Sequence, residues 1–324
     1  MISVGMMGKW HVHAPSYAAQ LQTIPGARIA AVWDDDAARG AAWANELNTP
    51  FYEDTGAFLA SGIDAVVCCA ATTAHPQLLT QAARAGKHIF TEKLLAANTR
   101  GAEEIAAAVR ESGVTFAISL PCKGDPAVRY AANLIAKGAL GRVSAARFRR
   151  SHSGLSAAWL PEGWCDPALA GGGALMDLGA HPVYVLAGLF GAPIRLTAMM
   201  TNLCGSPSDE NTIVLAEFAS GILGTMETAF VTEGVPDLLE IYGTEGSMFA
   251  RGGEITLSLR AQGGRPQAVT ELPAPAPAPL AQFIAACEAG LPAPAGLGLE
   301  DALMMTRIVE AAYQAAGACH FTAC

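Results

Sequence analysis

Hydrophobic residues in the first third of the chain form short continuous runs, and each run is followed by a longer segment with helical spacing. Short apolar runs of this kind are typical of strands buried on both faces of a sheet. Strands that alternate with helices form parallel sheets, so the pattern predicts an α/β domain over residues 1–120. The predicted strands are Ile2–Met7, Arg28–Trp33, Ala65–Ala70, the run ending at Thr91, and Val114–Leu120; the predicted helices include Ala37–Leu47, Ala74–Ala85 and Thr99–Glu111.

The remaining residues, 121–324, have a different pattern, and the breaker-rich segment Pro121–Pro126 marks the boundary. Strand-like segments here are separated mainly by turn signals, which predicts an α+β domain with a mostly antiparallel, open sheet. The Pro273–Pro279 segment predicts an extended linker. The predicted strands are Arg142–Arg149, Arg195–Asn202, Thr212–Phe218, Gly224–Val231, Leu238–Tyr242 and Glu254–Leu259, with closing helices at Leu280–Ala289 and Leu299–Ala316.

Composition narrows the classes of function. Of the 324 residues, 52% are hydrophobic and 15% are charged, so the chain can bury a large core. The net charge of -9 argues against a general nucleic-acid or anionic-membrane surface and favours a small-molecule substrate. The sequence has no apolar stretch long enough to predict a membrane span. A strand is predicted from Ile2 and not a basic leader segment, so we expect a cytoplasmic protein. The eight cysteines lack CxxC spacing and form no zinc pattern, so we expect reduced thiols, most of them in the core, and no metal site.

Two charged residues, Glu92 and Lys93, directly follow a buried strand. Ligands of parallel sheets gather at the carboxyl ends of the strands, so this pair is placed where an amine can handle protons beside a cofactor. The alternative is that both side chains are the solvated end of a strand.

The first strand runs into a turn that retains Gly8, but Trp10 and His13 stand at the second and third glycine places of a dinucleotide-binding GxGxxG turn. The second strand ends at Asp34, an acid suited to an adenosine ribose diol, which favours NAD over NADP. Asp35 and Asp36 are equally explained as a helix N-terminus, and Arg39 could instead meet a phosphate, so NADP stays possible.

A second chemical stretch runs from Trp164 to His181 and contains Gly171–Gly173. We predict that the glycines open a helix and that Asp177 and His181, four residues apart, share one face of it. An acid one turn from a histidine can fix the imidazole tautomer for proton transfer near neutral pH. The bland alternative is a surface ion pair.

These motifs together resemble the glucose-fructose oxidoreductase and inositol dehydrogenase (Gfo/Idh/MocA) family. The resemblance rests on Ala71–His75, on the line from Ala82 through Gly86-Lys87-His88 to Lys93, and on the phrase from Trp164 to His181. It departs from the family at Leu94, where a proline is usual, at Cys165, where an arginine is frequent, and at Tyr184, where an aspartate is frequent.

The resemblance implies a Rossmann-type first domain and the residue roles of a sugar or polyol dehydrogenase. Lys93, Asp177 and His181 are the implied catalytic residues. The implied substrate contacts are Lys123, Trp164, Asp177, His181 and Tyr184. The expected cofactor contacts are Gly8, Lys9, Trp10, His11, Asp34, Ala71, Thr72, His75, Glu92 and Lys93.

We therefore expect an NAD-dependent oxidoreductase, with NADP possible, that acts on a hydroxyl carbon of a sugar, polyol or cyclic alcohol. In this mechanism His181 takes the hydroxyl proton while Lys93 binds the same oxygen. One alternative keeps the fold but reoxidises the cofactor within each cycle, giving elimination or glycoside cleavage. Another is a non-catalytic nucleotide-sensing protein. By resemblance, the exposed sheet face implies a homodimer or homotetramer.

Overall fold

A computed structural model describes residues 1–292 and 294–318 of the chain. They form two compact units. The first unit contains residues 1–120, 168–171 and 277–306, so a late segment of the sequence folds with the N-terminal part. The second unit contains residues 121–167, 172–276 and the described residues from 307 onward.

The first unit is built on a six-stranded, wholly parallel sheet, which confirms the predicted Rossmann-type fold. Its strand order is β3-β2-β1-β4-β5-β6. The chain therefore adds β2 and β3 on one side of β1 and then returns to add β4, β5 and β6 on the other side. In such sheets the crevice at that reversal, at the strands' carboxyl ends, is where ligands bind. The strands are β1 (Ile2–Met7), β2 (Ala27–Trp33), β3 (Phe51–Tyr52), β4 (Ala65–Cys68), β5 (His88–Thr91) and β6 (Phe116–Ile118).

Three helices of the first unit begin at side chains that cap their N-termini. Asp36, Asp54 and Asn98 each accept a hydrogen bond from a backbone N–H of the first turn, which satisfies a donor that the helix itself leaves unpaired. The helices in order are α1 (Ala14–Thr23), α2 (Ala37–Glu46), α3 (Thr55–Leu59), α4 (His75–Arg84) and α5 (Thr99–Ser112).

The second unit is built on an eight-stranded sheet in the order β14-β13-β12-β11-β7-β10-β9-β8. Only β7 and β10 pair in parallel, so the prediction of a mostly antiparallel sheet is confirmed. The strands are β7 (Val143–Ser151), β8 (Pro193–Thr201), β9 (Asn211–Phe218), β10 (Leu223–Ala229), β11 (Leu238–Gly243), β12 (Gly246–Arg251), β13 (Glu254–Leu259) and β14 (Gln267–Ala268).

The remaining helices are α6 (Pro126–Ala136), α7 (Pro167–Ala170), α8 (Ala180–Phe190), α9 (Pro279–Ala289) and α10 (Leu299–Ala318). Helix α9 packs against β1, β5 and β6 within the first unit. Within the second unit the almost wholly apolar α8 lies on β7 and β10. These contacts bury α8 nearly along its length, so a polar side chain on it needs a partner inside the protein.

The predicted helix through Asp177 is wrong at its N-terminal end. Helix α8 begins only at Ala180, so Asp177 lies in the turns before the helix and His181 is in the first helical turn. The reason is Asp209, whose carboxylate accepts the backbone N–H groups of Gly173 and Leu175 at 3.0 and 2.8 Å. These bonds satisfy the segment's donors without an α-helix.

The second sheet leaves one face of β8, β9 and β10 open. Side chains along β9 alternate between buried and exposed positions, and Ile213 and Leu215 are 44% and 52% exposed. Their exposed neighbours are Met199, directly across from Ile213, and Leu223 on β10. We call these four residues the open apolar face.

None of the described helices is long and apolar enough to cross a membrane. The six cysteines in the described part of the chain carry no disulfide bond, and five of them are buried whereas Cys204 is exposed; Cys319 and Cys324 lie outside the described residues.

Candidate active site

The turn between β1 and α1 can only be made by glycine at its first position. Gly8 has a φ of +87°, a left-handed conformation that residues with a Cβ avoid. A Cβ at this position would lie 2.8 Å from the backbone of Ala70 at the end of β4. The turn therefore lies close against the neighbouring strand, at the crevice where a dinucleotide's pyrophosphate binds in this fold.

The carboxylate of Asp34, at the end of β2, is fully engaged. Its Oδ2 accepts the backbone N–H of Lys9 at 2.7 Å and Arg39 Nε at 3.1 Å. Its Oδ1 accepts the backbone N–H of Asp36 at 2.9 Å and Arg39 Nη2 at 2.5 Å. Asp34 thus lies directly after β2, and the Arg39 guanidinium is paired with its carboxylate.

The carboxylate of Glu92 is the centre of a buried polar cluster in the first unit. Glu92 is 1% exposed, and it accepts hydrogen bonds from the hydroxyl of Tyr17 and from the backbone N–H of Lys93 at 3.1 Å. His13 Nδ1 lies 2.8 Å from its Oε1, and Ser119 Oγ lies 2.7 Å from the Tyr17 hydroxyl. Glu92 and Lys93 are therefore buried, which excludes the solvated strand end.

Nearby positive groups keep Glu92 ionised. Burial by itself would raise the pKa of Glu92, but His11, the hydrogen bond with His13 and the charge of Lys93 together lower it well below its usual range. Burial and the charge of Glu92 raise the pKa of Tyr17, so this phenol stays protonated and donates. Glu92 is therefore a fixed negative charge beside Lys93.

His11, His13 and Glu92 bring three possible metal-ligand atoms within 4.8 Å of one another. The backbone N–H of His13 donates to His11 Nδ1 at 3.2 Å, so a neutral His11 carries its proton on Nε2, the nitrogen that faces Glu92. A protonated nitrogen is not a ligand. Hydrogen bonding accounts for this cluster better than metal binding does.

His75 joins the end of β4 to the segment after Lys93. It is the first residue of α4 and is 1% exposed. Nδ1 lies 3.0 Å from the carbonyl oxygen of Leu94, and Nε2 lies 3.2 Å from that of Ala70. Burial lowers the pKa of His75 despite these carbonyls. His75 therefore fixes the backbone next to Lys93; the Lys93–Leu94 peptide bond itself is cis.

Ala71 and Thr72 lie at the same strand end as His75. Both are buried, at the start of a short 3₁₀ turn that leads into α4. Lys9 and Trp10 are half-buried in the β1–α1 turn, and His11 is buried there. All ten predicted cofactor contacts therefore lie between the ends of β1, β2, β4 and β5 and the first turns of the helices that follow, at the edge where parallel sheets of this kind bind ligands.

In the second unit Asp177 is held from the segment before it. Trp164 Nε1 donates to Asp177 Oδ2 at 3.1 Å, and Trp164 is buried. Asp209 and the hydroxyl of Tyr313, which donates to Asp209 Oδ1 at 2.6 Å, brace the glycine turns on the other side. The backbone that carries Asp177 is thus fixed by side chains from distant parts of the sequence.

His181 is 5% exposed, and its Nδ1 faces the interior of the second unit. The hydroxyl of Tyr184 lies 2.7 Å from this nitrogen, and the Sγ of Cys122 lies 3.4 Å from it. Tyr184 is 1% exposed and also accepts the backbone N–H of Cys122 at 3.0 Å. Lys123, next to Cys122, is half-buried and lies against Gly188 of α8.

Sequence reasoning missed five residues of these two clusters: His13, Tyr17 and Ser119 around Glu92, and Cys122 and Arg150 around His181. Only His13 could have been suspected from the sequence. It stands at the third glycine place of the turn, and a polar side chain at that place needs a hydrogen-bond partner. The others are brought in by tertiary packing, which leaves no periodic or spacing signal in the sequence.

Two family models match the chain. Residues 1–120 match the oxidoreductase family, NAD-binding Rossmann fold, and residues 128–249 match the GFO/IDH/MocA C-terminal domain. Together the two matches cover well over half of the chain, and they appear in the order expected for one family member.

Among curated proteins, the chain is 28% identical over 262 residues to 1,5-anhydro-D-fructose reductase of Ensifer adhaerens, which covers 76% of each protein. It is 28% identical over 260 residues to scyllo-inositol 2-dehydrogenase (NAD(+)) of Bacillus subtilis (strain 168), covering 77% of this chain and 72% of the relative.

Among solved structures, levoglucosan dehydrogenase in complex with NADH and levoglucosan superposes with a TM-score of 0.86 at 21% identity, covering 98% of this chain and 97% of that one. At this identity the match supports the fold. With the retained Gly8 turn and the acid after β2, the residues present fit a dinucleotide. The chain belongs to the Gfo/Idh/MocA family of NAD-binding oxidoreductases.

Proposed function

We propose that this protein oxidises a hydroxyl carbon of a sugar, polyol or related cyclic alcohol with NAD, or reduces the corresponding carbonyl. The proposal is supported by the family membership and by relatives named for reactions on anhydrofructose and inositol. The observation that carries it is the retention of Lys93, Asp177 and His181, each buried or braced by polar partners.

The first unit would hold the dinucleotide. Gly8 and the start of α1 would receive the pyrophosphate, because the turn is tight and backbone N–H groups of a helix N-terminus favour anions. Asp34 would receive the adenosine ribose, with Lys9, Trp10 and His11 beside it. Residues 71, 72 and 75 and the Glu92–Lys93 pair would line the nicotinamide end. When bound, NAD accepts a hydride from the alcohol carbon.

The proton chemistry would belong to the protein. His181 would take the hydroxyl proton, since imidazole is a base near neutral pH. The Lys93 ammonium would bind the same oxygen and stabilise the negative charge that develops on it. Asp177 would orient the substrate or His181, and Lys123 and Trp164 would contact the substrate.

Two substitutions test these roles separately. Lys93→Met and His181→Gln should each lower kcat by about 10²- to 10⁴-fold, the usual contribution of acid–base groups. NAD binding, measured by calorimetry, should remain measurable in both variants. Arg84→Met, an exposed cation at the end of α4, is the matched control and should keep full activity. Full turnover by either active-site variant would refute its role.

We further propose that a second copy of this chain covers the open apolar face. Four large apolar side chains, each 44–59% exposed, lie side by side on β8, β9 and β10, a larger group than scattered surface residues produce. Charged side chains on this face form ion pairs. Arg147, for example, donates from Nε and Nη2 to the two carboxylate oxygens of Glu227 at 2.5 and 2.8 Å. A symmetric dimer buries such a face against itself.

Leu215→Glu should dissociate this assembly, since a carboxylate would be buried unpaired. Light scattering after size exclusion should give this variant a lower molecular mass than the wild-type assembly. Leu272→Glu, at an exposed position outside the face, should keep the wild-type mass. An unchanged mass for Leu215→Glu, or a monomeric wild type, would contradict the proposed interface.

A further inference from the structure

The indole of Trp159 is exposed, but it is held on a stack of rings in the second unit. Trp159 lies in the loop after β7 and is 55% exposed. Its ring centroid lies 4.6 Å from that of His152, at an interplanar angle of 54°. The imidazole of His152 in turn stacks on Phe230, with ring centroids 5.1 Å apart and planes within 9° of each other. Phe230 is fully buried directly after β10, so these contacts attach the exposed indole to the core.

The backbone around Trp159 is closed by hydrogen bonds with Gly154. The carbonyl oxygen of Gly154 accepts the backbone N–H groups of Trp159 and Leu160 at 3.0 and 3.1 Å. The N–H of Gly154 donates to His152 Nδ1 at 3.0 Å. A Cβ at position 154 would lie 2.8 Å from the His152 ring and 2.9 Å from the indole. Glycine therefore lets the loop pack closely against both rings, and this packing fixes where the indole lies.

Ala158, the residue before Trp159, adopts a left-handed backbone conformation with a φ of +56°. This conformation costs free energy in a residue with a Cβ. Such positions persist where the surrounding contacts fix them, and they are concentrated at ligand-binding sites. The left-handed turn brings Trp159 against His152 and leaves more than half of the side chain exposed. An exposed indole held by a strained turn differs from a loose surface residue and points to a ligand.

The segment 208–210, directly before β9, connects this ring stack with the candidate site. Its last residue accepts the backbone N–H of Phe230 at 2.8 Å through its carbonyl oxygen. Its middle residue, Asp209, holds the turns that carry Asp177. Its first residue donates from its hydroxyl to the carbonyl oxygen of Cys165 at 2.8 Å. The ring stack, the tryptophan segment that binds Asp177 and the turns before Asp177 therefore meet at one corner of the second unit.

The chemistry of an indole face favours ring-shaped ligands. An aromatic face is electronegative, because the quadrupole places negative charge above and below the ring plane. In a six-membered ring with equatorial hydroxyls, the axial C–H bonds form an apolar face on each side, and the attached oxygens make these hydrogens slightly positive. Such a face matches an aromatic platform in shape and in charge. An acyclic polyol has no preformed C–H face, so it loses conformational entropy in forming one.

We propose that Trp159 is the platform on which the ring of a cyclic polyhydroxy substrate stacks, at the same corner of the second unit as Asp177. The inference rests on the function proposed above, because it specifies which part of that substrate the protein holds. Trp159 determines specificity and takes no proton or hydride. A contact with a part of the substrate that does not react stabilises the ground state and the transition state alike, so it changes KM and not kcat.

Saturation-transfer NMR shows which ligand protons touch the protein, and it needs no turnover. In methyl β-D-glucopyranoside the axial protons H1, H3 and H5 lie on one face of the ring, and H2 and H4 lie on the other. Wild type should saturate one of these sets more strongly, and Trp159→Ala should lose this difference. D-Sorbitol, which has no ring, should give weak signals that the substitution leaves unchanged. Equal saturation of both sets by wild type, no saturation of either set, or an unchanged difference in Trp159→Ala would overturn the proposal.

Kinetics distinguishes a stacking contact from a merely apolar one. With the better of D-glucose and scyllo-inositol as substrate, Trp159→Ala should raise KM by about 10- to 100-fold with little change in kcat. Trp159→Phe keeps an aromatic face and should restore most of the affinity. Trp159→Leu keeps an apolar side chain without that face and should behave like Trp159→Ala. Equal KM values for the phenylalanine and leucine variants would refute the stacking.

Further variants control for changes in the fold. Gly154→Ala retains the indole but displaces it, so KM should rise by an intermediate amount. Leu272→Ala removes an exposed apolar side chain outside the loop and should keep the wild-type KM. Trp159→Ala should keep the circular-dichroism spectrum of wild type, because the indole is exposed; where it does not fold, the phenylalanine and leucine variants decide. A lower molecular mass in Trp159→Ala would assign the indole to a contact between copies and overturn the proposal.

The platform and the proposed dehydrogenase activity fail separately. A wild-type KM in Trp159→Ala, with reduced cofactor still produced, would refute the platform and leave the dehydrogenase. Saturation of ring protons that depends on Trp159, without turnover of any ring compound, would leave the platform and refute the dehydrogenase.

Discussion

Replacing Arg39 by alanine should change which cofactor the protein prefers. The Arg39 guanidinium donates to both oxygens of Asp34, at 3.1 Å from Nε and 2.5 Å from Nη2, and also to Asp35 at 2.6 Å. A ribose diol must displace these bonds to reach Asp34, whereas a 2′-phosphate would be attracted to the same guanidinium. Arg39 thus lowers the discrimination against NADP that a lone acid provides.

The size of the effect follows from the bonds involved. A hydrogen bond to a charged group contributes about 1.5–3 kcal/mol. The Arg39 side chain is 32% exposed, so solvent screening places the guanidinium–phosphate contact near the lower end. Losing it should weaken NADP binding by about 10- to 30-fold. NAD binding should stay equal or become tighter, because both Asp34 oxygens then become available to the ribose.

Isothermal calorimetry with NAD and NADP measures the ratio of the two dissociation constants. We expect Arg39→Ala to raise the NADP-to-NAD ratio by at least about tenfold. Arg28→Ala, which removes an exposed cation at the opposite end of β2, should leave the ratio at the wild-type value. A ratio that is unchanged in Arg39→Ala would show that the guanidinium does not reach the phosphate, and would refute this reasoning.

Two further predictions concern stability. The pKa of Glu92 is lowered in the folded state, so its ionisation stabilises the fold fully above its unfolded pKa of about 4.3, and this stabilisation is lost as the pH falls below that value. Urea unfolding should give Glu92→Gln a lower free energy of unfolding than wild type at pH 7, and the difference between the two proteins should become smaller toward pH 3. A difference that does not depend on pH would contradict this. Gly8→Ala should lower the free energy of unfolding by about 2–5 kcal/mol, because residue 8 has a positive φ and the added Cβ would overlap Ala70. Gly62→Ala, whose φ is +82° with nothing within 4 Å of the added Cβ, should cost only about 1–2 kcal/mol, and equal costs would refute the close contact.

The parts of the fold that the sequence predicted are those with strong local patterns. The strands of the first sheet are buried on both faces, so continuous apolar runs identify them. Glu254–Leu259 was predicted to the residue because turn glycines and polar residues bound it.

The parts that could not be predicted depend on distant partners. Strand β12 was not assigned, because Gly246–Arg251 has only a weak alternation, and it is a strand because β11 and β13 pair with both of its edges. The segment before His181 is not helical, because Asp209, more than thirty residues later, binds its N–H groups. Local propensity does not contain either of these contacts.

The site shows the same division. Motif spacing identified Glu92, Lys93, Asp177 and His181 as candidate site residues, because polar residues at the ends of strands and helices leave a local signature in the sequence. Their partners were not, because the residues that hold a functional group need only be near it in space. Tyr17 reaches Glu92 across 75 residues and Cys122 reaches His181 across 59.

Reduced cofactor produced during turnover tests the central claim most directly. Purified protein with NAD and a panel of sugars, inositols and anhydrosugars should release reduced nicotinamide, followed by its absorbance, in amounts equal to the ketone or lactone formed. Lys93→Met and His181→Gln should abolish this signal. Product formed without net reduced cofactor would establish the alternative in which the cofactor is reoxidised within each catalytic cycle. The absence of any product across the panel would contradict the assignment as an alcohol dehydrogenase.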